Sequence, residues 1–201
     1  MDRNDLLNQN IGVQLWSENR QRWQKLKTIY YTAFVTNLLV NLDHGILPAC
    51  TSELKAELDI GDIFLGFLGS LVFAGLMIGS IISGILFTRY SCKRIILYSF
   101  IFTMVGYVFF VFGGQSHILL GCGRFITGFF QVFMVVYFPV WVDHFGDKNK
   151  TIWLSYLQIG PPLGVFLGYS ITAVFNTLST SYDWIGWRWS FYLQTILLLP
   201  C

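Results

Sequence analysis

The chain has 201 residues, of which 54% are hydrophobic and 12% are charged, whereas a soluble domain usually carries about 25% charged residues. A water-soluble core of this size could not bury that much apolar surface, but a lipid bilayer accepts it in helices that satisfy their own backbone groups. The net charge of +2 gives no reason to expect a nucleic-acid partner. The composition therefore predicts an all-α, multi-pass membrane protein that is embedded in the lipid bilayer.

Long apolar stretches recur along the chain, and a helix needs about 20 apolar residues to cross a bilayer. The candidate spans cover residues of about 28–50, 63–87, 95–113, 117–141, 152–176 and 187–201. The last span has only 15 residues before the end of the sequence, so we expect a truncated sixth helix. Residues 1–27 lack an apolar core and predict a cytoplasmic segment, which is followed by one helical bundle over residues 28–201.

The basic residues predict the orientation, because lysines and arginines are retained on the cytoplasmic side of a membrane. They cluster before span one (Arg3, Arg20, Arg22, Lys25, Lys27), between spans two and three (Arg89, Lys93, Arg94) and between spans four and five (Lys148, Lys150). All three places lie on the same side if every span crosses the membrane. We therefore expect a cytoplasmic N-terminus.

Ionisable residues inside the spans are costly and mark candidate functional positions. Asp43 lies in span one and Arg124 in span four, and a rise of about 1.5 Å per residue places both roughly 6–7 Å outside the membrane midpoint. At a matched depth the two side chains can neutralise each other. The pair would either line a polar cavity or only fix the packing of two helices.

Four more polar residues extend the candidate substrate or proton pathway. His44 follows Asp43 and could exchange protons near neutral pH, or simply bond a neighbouring helix. Gln131 lies two helical turns from Arg124, on the same side of span four. Asn37 and Asn41 share one face of span one at a spacing of four residues.

Glycines and prolines predict where helices approach each other or bend. Span two contains Gly75, Gly79 and Gly84, and span five contains Gly160, Gly164 and Gly168. Small residues allow close helix contact, with or without a gating motion. Pro161 and Pro162 remove two amide donors and predict a bend in span five.

The sequence contains neither a phosphate-binding loop nor a His-Glu-x-x-His zinc motif or nucleophile elbow. Asp143, His144 and Asp147 crowd the inner end of span four, where a solvated loop explains them better than a metal site. We therefore expect a protein that is not an enzyme and that has no cofactor and no metal.

The loop between spans two and three, Gly84 to Arg94, resembles the signature of the major facilitator superfamily, which is Gly, three residues, Asp, a base, one residue, Gly and two bases. The matching residues are Gly84, Arg89 and Lys93. The differing residues are Thr88 for Asp, Ser91 for Gly and Cys92 for the first base. The resemblance implies a cytoplasmic gate loop with Asp143 as an acidic partner, formed by Gly84, Thr88, Arg89, Lys93, Arg94 and Asp143.

Two further motifs follow in the same order as in this family. Residues 124–128, from Arg124 to Gly128, resemble its Arg-x-x-x-Gly motif, and residues 160–164 resemble its Gly-Pro-x-x-Gly antiporter motif. Within the superfamily the chain is most similar to spinster-type lipid transporters and related protist transporters. The similar segments are Asn41-Leu42-Asp43, Asp143-His144-Phe145 and Trp187-Arg188-Trp189, while His44 and Gln131 replace an Arg and a Glu of the spinster type.

This resemblance implies the N-terminal six-helix half of a twelve-helix transporter, with a substrate path between two halves that rock against each other. A second half-transporter or a homodimer would complete the path. The expected function is transport of a small organic or lipid-like solute, with or without proton coupling. The alternative is a non-transporting membrane subunit or truncated paralogue, in which the same charges only hold the bundle together.

Overall fold

The computed structural model describes residues 3–114, 116–179 and 186–199, with side chains from residue 20 onward. In these ranges the regular elements are helices, joined between α6 and α7 by one turn of 3₁₀ helix at Asp147–Asn149. The helices are α1 Arg3–Val40, α2 Asp43–Ala49, α3 Thr51–Leu58, α4 Asp62–Arg89, α5 Cys92–Phe112, α6 His117–Phe145, α7 Lys150–Ser179 and α8 Arg188–Leu198. The prediction of an all-α fold is confirmed.

Four of the described helical segments are long and apolar enough to cross a membrane: α4, α5, α6 and Asp147–Ser179, which includes α7. They lie where spans two to five are predicted, and they support a multi-pass membrane protein. Predicted span one is divided between the end of α1 and α2, and predicted span six contributes the 11 residues of α8. Residues 200–201, at the end of predicted span six, lie outside the described residues.

The break in span one lies between Val40 and Asp43. There the N–H of Asn41 donates to the carbonyl of Leu38 at 3.2 Å, and the N–H of Leu42 donates to that of Leu39 at 3.3 Å. These bonds join residues three apart, a tighter turn than the four-residue step of an α-helix. The tighter turn interrupts the regular four-residue hydrogen bonds of the helix. The carbonyl oxygens of Leu39 and Val40 can therefore accept hydrogen bonds from side chains of other helices.

Glycines set the closest helix contacts. A Cβ added at Gly128 of α6 would lie 2.0 Å from the Val72 carbonyl oxygen of α4, and one added at Gly168 of α7 would lie 2.1 Å from that of Leu42. Such contacts allow only glycine, so α6 packs along α4, and α7 packs along span one. Gly84 is different, because it is exposed and a Cβ there would meet nothing within 4 Å.

The other glycines that were singled out in the sequence lie in the same two interfaces. On α4, Gly75 and Gly79 face backbone atoms of α6, and on α7, Gly160 and Gly164 face Asn37 and the Leu38 carbonyl. Close helix contact is thus observed for these glycines and not for Gly84. Pro161 and Pro162 lie inside α7, which remains helical from Lys150 to Ser179.

The contrast between Gly168 and Gly84 gives a testable prediction. Gly168→Ala should destabilise the fold by about 1–3 kcal/mol, because the new methyl group must push α7 away from the Leu42 backbone. Gly84→Ala should be neutral or stabilising, since alanine favours a helix over glycine by about 1 kcal/mol. Thermal unfolding of the detergent-purified variants measures both. Equal midpoints for the two variants would contradict the packing described here.

Candidate functional site

Asp43 and Arg124 form a buried ion pair at the break in span one. Asp43 begins α2 and is 0% exposed, and Arg124 of α6 is 2% exposed, with 3.2 Å between its Nη1 and Oδ2 of Asp43. The guanidinium of Arg124 also lies over the ring of Phe110, 5.1 Å from its centre. Because isolated buried charges cost several kcal/mol each, each side chain depends on the other to remain in the interior.

His44 forms the exposed edge of this site. Its Nε2 lies 3.9 Å from Oδ1 of Asp43 and 3.4 Å from Nε2 of Gln131, and 16% of its side chain is exposed. Its ring stacks on Phe73 of α4 with 5.5 Å between ring centres. The imidazole therefore contacts both the carboxylate and the neighbouring helices, and it is the most exposed of the six predicted pathway residues.

Side chains from three other helices bond the carbonyls at the break. Gln131 Nε2 of α6 lies 3.4 Å from the Val40 oxygen, and the Tyr107 hydroxyl of α5 donates to the same oxygen at 3.2 Å. Gln194 of α8 donates to the Leu39 oxygen at 2.9 Å. Buried carbonyls need such donors, so the break is held in place by α5, α6 and α8 together.

The asparagines of span one connect the break to the prolines of α7. Asn37 Nδ2 donates to the Leu157 carbonyl at 3.0 Å. In a regular helix this carbonyl would accept from residue 161, but Pro161 has no N–H to donate. Asn41 Nδ2 in turn donates to the Asn37 carbonyl at 2.7 Å. The first proline thus frees an acceptor that Asn37 uses to fix span one against α7.

The structure brings the six predicted pathway residues into one polar cluster, buried except at His44, which we call the break cluster. Its members are Asn37, Asn41, Asp43, His44, Arg124 and Gln131, joined by Tyr107 and Gln194, which the sequence analysis missed. Gln194 could have been found by the rule that singled out Gln131, because it is an amide inside a predicted span. Tyr107 gives no such signal, because an aromatic residue in a span also fits lipid contact.

The predicted gate residues lie apart from the break cluster. Thr88 donates its hydroxyl to the Ile85 carbonyl of its own helix at 2.7 Å, and Gly84, Arg89, Lys93 and Arg94 are exposed. Asp143 forms an ion pair with Lys150 at the start of α7. The role of this loop as a gate therefore stays a prediction, and Asp143 has a partner other than the loop cations.

A second polar contact, which the sequence analysis did not identify, lies at the helix ends that are expected to face the outside. Glu57 of α3 accepts a hydrogen bond from Trp187 Nε1 at 2.7 Å and forms an ion pair with Arg188. Arg188 also donates its Nε to the Val111 carbonyl at 3.2 Å. This contact joins α3, α5 and α8. In the described part of the chain, no three His, Cys, Asp or Glu side chains are grouped so that they could hold a metal ion.

The buried pair gives a second prediction. Asp43→Asn or Arg124→Gln should each cost about 3–5 kcal/mol, because the remaining charge stays buried without its partner. Asp62→Asn is the matched control, because Asp62 pairs with Lys55 at the surface, where ion pairs contribute about 0–1 kcal/mol. Equal losses of stability in the buried and surface variants, measured by thermal unfolding, would contradict this assignment.

The link between Asn37 and Pro161 gives a third prediction. Asn37→Ala should cost about 1–3 kcal/mol, because it leaves the Leu157 carbonyl without its donor. In a Pro161→Ala background the same change should cost clearly less, since an alanine at this position supplies the missing N–H. Unfolding midpoints of the wild type, the two single variants and the double variant test this. A cost of Asn37→Ala that does not depend on residue 161 would refute the link.

Comparison with known proteins adds two findings. A family model described as Major Facilitator Superfamily matches residues 32–201, which include the whole break cluster. A D-xylose transporter from Levilactobacillus brevis is 24% identical over 163 residues, covering 80% of this chain and 34% of that protein. The chain therefore spans about a third of the length of the curated relative that it matches.

Proposed function

Because the chain belongs to the major facilitator superfamily, we propose that it is part of a transporter that moves a small organic solute across a membrane by alternating access. Members of this family are transporters and not enzymes. The observation that carries the proposal is the Asp43–Arg124 pair, buried where a membrane helix is broken. Ionisable residues and broken helices inside membrane spans are typical of substrate and ion pathways.

The break divides span one between the end of α1 and the seven-residue helix α2, and both parts pack against α7. Leu38 and Leu42 pack against glycines of α7, whereas Arg124 and Gln131 of α6 bond residues at the break. Asp43 also lies in the first turn of α2, where the helix dipole stabilises a negative charge. The break thus couples α6 to α7, so a rocking motion of this unit would move span one, α6 and α7 together.

Alternating access requires a second unit against which this bundle moves. We propose that the substrate path lies between this bundle and a second six-helix unit, either further sequence of the same protein or a second copy of this chain. The greater length of the matched relative supports the first arrangement. Membership of the spinster-type subfamily is likewise a proposal, supported by the motif residues of spans one, four and six.

Proton coupling is the finer proposal, and His44 is the residue that would carry it. Its facing groups are Asp43 on its own helix, Arg124 and Gln131 on α6 and Phe73 on α4. A proton on His44 would place a second positive charge 3.9 Å from the carboxylate that Arg124 binds. The imidazolium would compete with Arg124 for Asp43 and so weaken the contact between span one and α6.

A non-transporting membrane subunit remains the alternative from a different functional class. In that role the break cluster would only stabilise the bundle, and its variants would affect folding alone. Stability measurements do not separate the two functions, because both need the ion pair intact. A flux measurement separates them.

Transport is tested with the protein made from its complete natural transcript, purified and reconstituted into liposomes. The solutes are a neutral sugar, an organic anion, an organic cation and a lysophospholipid. We expect flux of at least one solute that is lost in Asp43→Asn and kept in Asp62→Asn, and a pH dependence that is lost in His44→Asn. A correctly folded protein that transports none of the solutes would contradict the proposal and favour the subunit.

A further inference from the structure

We infer that the partly exposed edge of the break cluster, beside Phe73, binds a neutral, polyhydroxylated solute. The residues that carry the inference are His44, Gln131 and Phe73. It rests on the proposed transport function and adds the chemical class of the substrate.

The charges of the cluster are already compensated. Asp43 and Arg124 neutralise each other inside the protein, and the ring of Phe110 covers the guanidinium. An ionic substrate in a site of low dielectric would need an uncompensated opposite charge beside it. Of the ionisable members of the break cluster, only His44 is partly exposed, and its imidazole already faces the Asp43 carboxylate at 3.9 Å, so it offers an anion no unshared positive charge. The described half of the site therefore suits a substrate without net charge.

Hydrogen bonding at the buried Gln131, directly inside this edge, favours hydroxyl groups. The amide nitrogen of Gln131 donates to the Val40 oxygen and to Asn41 Oδ1 at 3.4 and 3.5 Å, and it lies 3.4 Å from His44 Nε2. Its Oε1 is buried and has no hydrogen-bond partner among the described residues. A buried acceptor without a donor is unfavourable, so a ligand that supplies the donor gains affinity. A hydroxyl can donate to that oxygen while its own lone pairs remain free for His44 or another donor.

The aromatic neighbour of His44 supplies the apolar surface that a sugar ring needs. The ring of Phe73 lies 28° from parallel to the imidazole and is 62% exposed. The flat face of a pyranose or furanose can lie against such a ring while its hydroxyl groups point to the polar edge. The similar protein from Levilactobacillus brevis is described as a transporter of D-xylose, a solute of this class.

The reconstituted protein tests the inference with four probes: D-xylose, an organic anion, an organic cation and a lysophospholipid. We expect flux of D-xylose in preference to the other three. Phe73→Leu should weaken half-saturation by D-xylose by roughly tenfold, the effect of losing about 1.4 kcal/mol. Phe67→Leu is the matched control, because Phe67 lies on the same helix, is 54% exposed and has its ring beside that of Phe64, 6.2 Å between ring centres.

Gln131→Leu should weaken D-xylose transport further, and Phe73→Leu keeps the test valid if the glutamine variant unfolds, because Phe73 is exposed. Preference for the anion, the cation or the lysophospholipid, with flux still lost in Asp43→Asn, would overturn the inference and leave the transport function standing. D-xylose flux that Phe73→Leu leaves unchanged would also overturn it. Absence of all flux from a folded protein would contradict the transport function itself.

Discussion

The opposite charges of Asp43 and Arg124 are enclosed in the interior of the helical bundle, where water solvates neither of them. Each charge is tolerable only because the other lies 3.2 Å away, so the two helices that carry them must keep a fixed depth and rotation. The pair lies at the point where span one stops being a continuous helix. Contacts from the other helices stabilise both the break and the ion pair.

Three kinds of contact make the break tolerable. Tyr107, Gln131 and Gln194 bond the carbonyls that the tighter turn makes available. Gly164 and Gly168 of α7 let span one approach to backbone contact before the break and within it, and Gly45 of α2 does so after it. Asn37 bonds the carbonyl that Pro161 leaves free. A polar site is thereby built inside an apolar bundle, with His44 at its accessible edge.

The fold class could be predicted from the sequence, because a water-soluble core of this size could not bury so many apolar residues. The matched depth of Asp43 and Arg124 could be predicted from their positions along the two spans. Partners that depend on tertiary geometry could not be predicted in the same way. Tyr107 looks like any lipid-facing aromatic residue, and the acceptor freed by Pro161 is a backbone atom with no signature of its own. Gly84 lies in the same predicted span as Gly75 and Gly79, but the sequence pattern alone does not distinguish a packed helix face from an exposed one.

The central claim is that Asp43 and Arg124 act as a pair and not as two independent buried groups. A double-mutant cycle on Asp43→Asn and Arg124→Gln measures this most directly, with the free energy of unfolding as the readout. We predict that the double variant is more stable than the sum of the single losses implies, by at least about 1.5 kcal/mol, as found for close charge pairs. Losses that simply add would show that the two charges do not depend on each other, and would contradict the account.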